Sequence, residues 1–292
     1  MKGKIKVFLA SLGYLLLAIV VQVLVMVVGA IIVTIVHSIS QGINAGQGGE
    51  AGNIDVLSIT NVILSYTSVF LFISSILTVL ILILIYKIRK KNYKEELQIK
   101  RVTKLNIFHS IFLGISCWLF NVGVVSLTYE SGLFRSHFEY MDEMLAPLNE
   151  GSIIMAILTV GIIAPIAEEV LFRGVVYNTL SKKVSIKWTI IIQAILFGVF
   201  HGNIVQGIYA TFIGLVYGYV TYKTKSLWPA IIMHIVNNTV ATVLPYVLGE
   251  NFGGNLVYIV FTIIGSIGIG LFVALIKKSN KEEVMEFDNI IN

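Results

Sequence analysis

The chain has 292 residues, 57% of them hydrophobic and only 13% charged, with a mean hydropathy of +0.88. A soluble domain carries roughly a quarter charged residues, so the composition excludes one and points to a polytopic membrane protein. The formal charge of +5 does not mark a nucleic-acid binder, because the basic residues are sorted between apolar blocks rather than gathered in a patch.

Apolar runs long enough to span a bilayer, ~20 residues, cover residues 7–36, 59–86, 105–128 and 151–180. Shorter or glycine-interrupted runs follow at 186–202, 207–222, 227–248 and 255–276. They predict an all-α bundle of about eight transmembrane helices, one integral membrane domain over 1–292. The first run follows Lys2, Lys4 and Lys6 and reads as an uncleaved anchor, since no small-x-small cleavage site ends it. The Gly/Ser/Asn/Gln-rich stretch 37–57 reads as a flexible loop. Residues 1–104 thus form two additional N-terminal helices and a basic loop. The third run holds Cys117, the single cysteine, so no intrachain disulfide exists. It also holds His109, which at the start of the segment reads as solvated and without a role.

With a cytoplasmic N-terminus and eight crossings, 19 of the 21 Lys and Arg residues fall in cytoplasmic segments. Arg135 is external, among Glu130, Glu139, Asp142 and Glu143, and Arg173 lies in the membrane. This sorting follows the positive-inside rule and places both termini in the cytoplasm. Gly214 with Gly218, and Ser266 with Gly270, have the small-xxx-small spacing that lets helices approach closely.

Few strong polar groups remain at membrane depth. The fourth segment contains APIAEEVLFRG, with Glu168, Glu169 and Arg173; His201 ends the fifth; His234, Asn237 and Asn238 lie on the seventh. Each charge at the bilayer centre costs at least ~2.5–3.5 kcal/mol on insertion scales. Glu169 and Arg173 are four residues apart and share a helix face, so they can form an ion pair. Glu168 points about 100° away and has no local partner. Pro165 frees the carbonyl near Gly161, which predicts a local opening of the helix. His234 and Asn238 also share a face. Asn237-Asn238-Thr239 matches a glycosylation acceptor, which membrane depth excludes.

Depth supports convergence. At 1.5 Å per residue, Glu168 lies ~22 Å above Lys183, His201 ~21 Å above Lys187 and His234 ~13 Å above Lys225. A Glu, two His and an Asn at one point suit a hydrolase, with a polarised water and donors for the oxyanion. Two His and a carboxylate also make a hydrolytic zinc set, although no HExxH occurs. A proton-coupled transporter would place Glu and His at midplane as well, but no internal repeat is visible. A polar network that only locks the bundle is the structural alternative.

Glu168-Glu169-x-x-x-Arg173, Phe197-x-x-x-His201 and His234-x-x-x-Asn238 together resemble the three motifs of the CPBP family. This family contains CAAX prenyl proteases of type II, bacteriocin-processing and self-immunity proteins, and Abi proteins. The resemblance covers about 150–245, a catalytic core, and implies an intramembrane endopeptidase. It implies that Glu168 is the general base on water with His201 assisting. His234 and Asn238 would stabilise the oxyanion, and Glu169 with Arg173 would support the site. The family is described both as glutamate proteases and as metalloproteases. No cofactor is firmly implied; under the second description Glu168, His201 and His234 would hold zinc. The implied substrate is a membrane-embedded or membrane-tethered peptide, the location a bacterial plasma membrane, and the other reading an immunity or scaffold protein that keeps the network without catalysis.

Overall fold

The computed structural model describes residues 2–46, 56–149, 151–249 and 253–291. Among them there are helices and short turns but no strand. Seven helices are long and apolar enough to cross a membrane, and the chain is a multi-pass membrane protein.

Helix α1 (Lys2–Gly46) continues well past the expected end of the first run. Residues 37–46 are therefore helical rather than loop, while 47–55 lie outside the described residues. Its apolar part, Lys2–Ile43, is ~63 Å long, about twice a ~30 Å hydrocarbon core. The second run is broken at Tyr66 into α2 (Val56–Ser65) and α3 (Thr67–Ile88). The basic loop contains one turn, α4 (Tyr93–Glu96), capped by the Asn92 side chain on the Lys94 amide. Next come α5 (Lys104–Glu130), whose N-cap Thr103 accepts from the Asn106 amide, and α6 (Arg135–Asn149). The sequence predicts an external loop where α6 forms. Then follow α7 (Ile153–Ser181), α8 (Ile186–Phe200), α9 (Ile204–Thr224), α10 (Trp228–Leu248) and α11 (Asn255–Ile291). The last runs on through the polar tail.

The eighth expected span is α8, an apolar helix of 15 residues. Starting at Lys187, its ~22 Å falls short of the far side of a ~30 Å core. That leaves the turn after it, with His201, at membrane depth. Gly202 makes this turn at φ +76, a left-handed conformation that costs glycine nothing. The chain then returns as α9 in tight contact with α8. A Cβ on Gly198 would sit 2.1 Å from Thr211 Oγ1 and 2.4 Å from the Gly207 carbonyl, so the backbones touch because the residues are small. Gly214 and Gly218 extend the same seam against Ala194 and Gln193, and Gln193 Nε2 donates to the Gly214 carbonyl at 2.7 Å.

The Ser266–Gly270 spacing does not pack in this way. A Cβ on Gly270 would meet nothing within 4 Å, and Ser266 donates to its own helix at Thr262. The α5–α11 seam lies instead at Gly265 and Gly268, three residues apart, against Phe120 and Ser116, with Gly123 facing Thr262. The same pair of helices buries His109. Its ring lies beside Phe108 and Phe272, and its Nδ1 has no hydrogen-bond partner. The expectation that His109 is solvated is therefore wrong, because α11 covers the face that a single helix would leave open.

The core is built around α7. Val170, Leu171, Phe172, Val175, Val176 and Leu180 are buried against α1, α3, α8 and α10. A second cluster joins Leu113, Cys117, Ile213, Tyr217, Ala230 and Met233 on α5, α9 and α10. The ionisable groups of α7 lie between the two. From below, the basic loop is clasped to α7. Leu97 is fully buried beside Gly174, Asn178 donates to the Glu96 carbonyl at 2.8 Å, and Gln98 donates to the Asn178 side chain.

Candidate active site

Helix α7 is α-helical at Ala164–Glu169 and π-helical on either side, at Ile157–Ile163 and Val170–Val176. Such wide turns recur at functional sites. Pro165 has no N–H to return to Gly161, four residues back, or to Val160, the partner five residues back in a π turn. Both carbonyls are taken by α10: Asn238 Nδ2 donates to Val160 at 3.1 Å and Thr239 Oγ1 to Gly161 at 3.2 Å. The opening expected at Pro165 is thus present and is tied to the neighbouring helix. Asn238 Oδ1 accepts from Asn237 at 2.9 Å.

The two glutamates differ as their helix positions predict. Glu169 is fully buried and accepts at one oxygen, Oε1, from Arg173 Nη1 and from His234 Nδ1, both at 2.8 Å. Arg173 is equally buried. A carboxylate on Nδ1 fixes the tautomer and the plane of an imidazole, so the other nitrogen of His234 is aimed by this bond. That nitrogen, Nε2, faces Glu168 Oε2 at 3.7 Å, and the Glu168 side chain keeps 25% of its surface exposed. The separation is too long for a direct hydrogen bond and leaves Glu168 free to engage a third group. The link from Glu169 to His234 crosses two helices and was not read from spacing.

His201 is placed differently. Its Nδ1 donates to the Phe197 carbonyl at 2.8 Å, and its ring stands edge-on to Phe197, 4.8 Å between centroids. Phe197 also meets the His234 ring at 5.8 Å, so one phenyl ring contacts both imidazoles. Among the described residues no hydrogen bond joins His201 to Glu168 or His234. The structure therefore brings together Glu168, Glu169, Arg173 and His234. It sets Asn238 one turn along α10, and places His201 across Phe197.

Among the described residues no three His, Cys, Asp or Glu side chains are arranged to hold a metal ion. Glu168 and His234 Nε2 are a plausible pair of ligands with a carboxylate behind the histidine, but His201 does not complete the set in this arrangement.

Three contacts of the site escaped sequence reasoning. Phe197 and Tyr217 face the Arg173 guanidinium at 4.3 and 5.3 Å, and Thr239 joins Asn238 at the Pro165 opening. Only Phe197 carried a signal, its place four residues before His201.

Residues 150–240 match the family described as "Type II CAAX prenyl endopeptidase Rce1-like". The chain is also similar to a protein of Bacillus subtilis (strain 168) named "Putative membrane peptidase YdiL", 26% identical over 90 residues. That match spans 31% of this chain and 37% of the relative, well under two thirds of its length. No solved structure matches the chain.

Proposed function

We propose that this membrane protein, whose residues 150–240 match the type II CAAX prenyl endopeptidase family, is an intramembrane endopeptidase acting through an activated water. The observation that carries the proposal is the division between the glutamates. Glu169 is consumed by Arg173 and His234, whereas Glu168 has a partly exposed carboxylate 3.7 Å from an aimed imidazole nitrogen.

Glu168 takes a proton from water as the water attacks the peptide carbonyl. His234, held at Nδ1 by Glu169, turns its Nε2 edge toward the oxyanion and donates Nε2–H to it as the charge develops. Asn238 supplies a second donor with the amide hydrogen not spent on Val160. His201, with Nδ1 on a carbonyl, offers Nε2 to the leaving amine or to the water. Glu168 returns its proton to the amine, and the products are a new carboxyl and a new amine terminus. The chain orientation, with both termini and the basic loops in the cytoplasm, belongs to the same proposal and is supported by the charge sorting. Substrates are peptides tethered to or embedded in the bilayer.

The test is a comparison of membrane peptides in cells carrying the wild type and Glu168→Ala. Peptides that accumulate in the variant are candidate substrates, to be cleaved by the purified wild-type protein in proteoliposomes. Equal peptide inventories in the two strains, with no cleavage by purified protein, would leave the immunity or scaffold reading.

A further inference from the structure

A fully buried guanidinium is ordinarily surrounded by oxygens, and Arg173 has one. Its Nη1 donates to Glu169, while Nε and Nη2 have no hydrogen-bond partner. Two aromatic faces stand where further acceptors would be. The guanidinium carbon lies 4.3 Å from the Phe197 ring centroid and 5.3 Å from that of Tyr217. The face of an aromatic ring is the negative end of its quadrupole, and its attraction for a cation is greatest away from water.

The two rings are not equivalent. Phe197 touches both imidazoles, so any change there disturbs the histidines directly. Tyr217 comes from α9 and lies outside all three sequence motifs. It is fully buried, its hydroxyl has no partner, and its ring centroid is 5.5 Å from that of His234, tilted by 53°. We infer that Tyr217 is a positioning residue whose ring face holds the Arg173 guanidinium against Glu169, and through Glu169 fixes the ring plane of His234. Each link is one contact: ring to guanidinium, guanidinium to Oε1, Oε1 to Nδ1–H. The ring carries the role and the hydroxyl does not. Tyr217 touches no reacting atom, and the inference rests on the endopeptidase reading only for its kinetic consequence.

The experiment keeps the shape and changes the quadrupole. Position 217 is made Phe and then mono-, di- and trifluorophenylalanine by site-specific incorporation, in the full-length protein. Tyr217→Phe retains kcat within about twofold, and each added fluorine lowers it, to about tenfold below Phe for the trifluoro ring. KM stays constant along the series while the melting temperature falls stepwise with fluorine number, because the same ring–cation attraction stabilises the fold; a packing role alone would not grade with ring charge. A second readout needs no catalysis. The Nδ1–H proton of His234, assigned by its loss in His234→Asn, moves stepwise with fluorine number in the NMR spectrum of histidine-labelled protein. A flat kcat and an unmoved resonance overturn the inference, as does loss of activity in Tyr217→Phe alone. A resonance that tracks the fluorines in a wild-type protein without turnover upholds the inference and removes the endopeptidase reading instead.

Discussion

Replacing Glu169 by Gln is the most informative perturbation of the network. The carboxylate has no exposed surface, and its Oε1 receives both Arg173 and His234 at 2.8 Å. A glutamine can keep one oxygen at the Oε1 position for both donors, but it puts an N–H₂ at the buried Oε2 position, which has no partner, and it removes the charge that balances a fully buried guanidinium. Breaking such a pair from one side costs ~3–5 kcal/mol, a large part of a total stability of about 5–15 kcal/mol. For a chain of this size the melting temperature falls by on the order of 10 °C. Glu168→Gln is the control. That side chain is 25% exposed and only approaches His234 at 3.7 Å, so the variant melts close to the wild type while turnover is abolished. Thermal unfolding in detergent, with membrane protein level as a second readout, separates the two. If Glu169→Gln melts within a degree or two of the wild type, or if both variants lose equal stability, the division of labour between the glutamates is wrong.

Three further outcomes are expected. Reporter fusions after Arg101, Lys183, Lys223 and Lys278 report cytoplasm, and fusions at Tyr140 and Gly253 report the outside; an external signal at Lys183 would sink the orientation. Gly198→Ala puts a Cβ 2.1 Å from Thr211 Oγ1 and 2.4 Å from the Gly207 carbonyl; forcing α8 from α9 costs about 1–3 kcal/mol and moves the His201 turn, so melting temperature and activity fall together, and an unchanged protein would contradict the seam. Glu96, hydrogen-bonded to Lys91 at 2.6 Å and paired with Lys182 at 3.2 Å, has its carboxyl held below the usual range, first by the Lys91 bond and then by Lys182. A lowered folded-state pKa means that its small contribution is present at neutral pH and lost as pH falls through the carboxylate range; Glu96→Gln should flatten that part of the melting curve against pH, and an identical acid slope would refute it.

What the sequence revealed and hid has a common cause. Helical spacing is local, so the Glu169–Arg173 pair, the Pro165 opening and the common face of His234 and Asn238 were legible. Loop charges predict about eight membrane segments; seven helices are long and apolar enough to cross, and α8 is too short to qualify by length. Links between helices depend on rotation about each axis, which spacing within one helix does not determine. Hence spacing does not show the Glu169–His234 link, the small-residue step expected at Ser266 and Gly270 lies at Gly265 and Gly268 instead, and His109 is buried rather than solvated. Tyr217 is one more aromatic in an apolar run until the fold sets it over Arg173. The α6 segment mixes charges into 15 residues ending near Pro147, a composition that reads as loop. The π turns have no residue signature at all beyond the proline between them.

The central claim is that Glu168 is the base that activates water. Its most direct test is cleavage of an identified membrane peptide by purified wild-type and Glu168→Gln protein in proteoliposomes made in H₂¹⁸O, with elemental analysis of the same samples. The expected result is a single cut by the wild type, with one ¹⁸O in the new carboxyl terminus and no stoichiometric metal, and no cut by an equally folded Glu168→Gln. Cleavage by Glu168→Gln at the wild-type rate would contradict the account, as would one zinc per chain lost in both His201→Ala and His234→Ala.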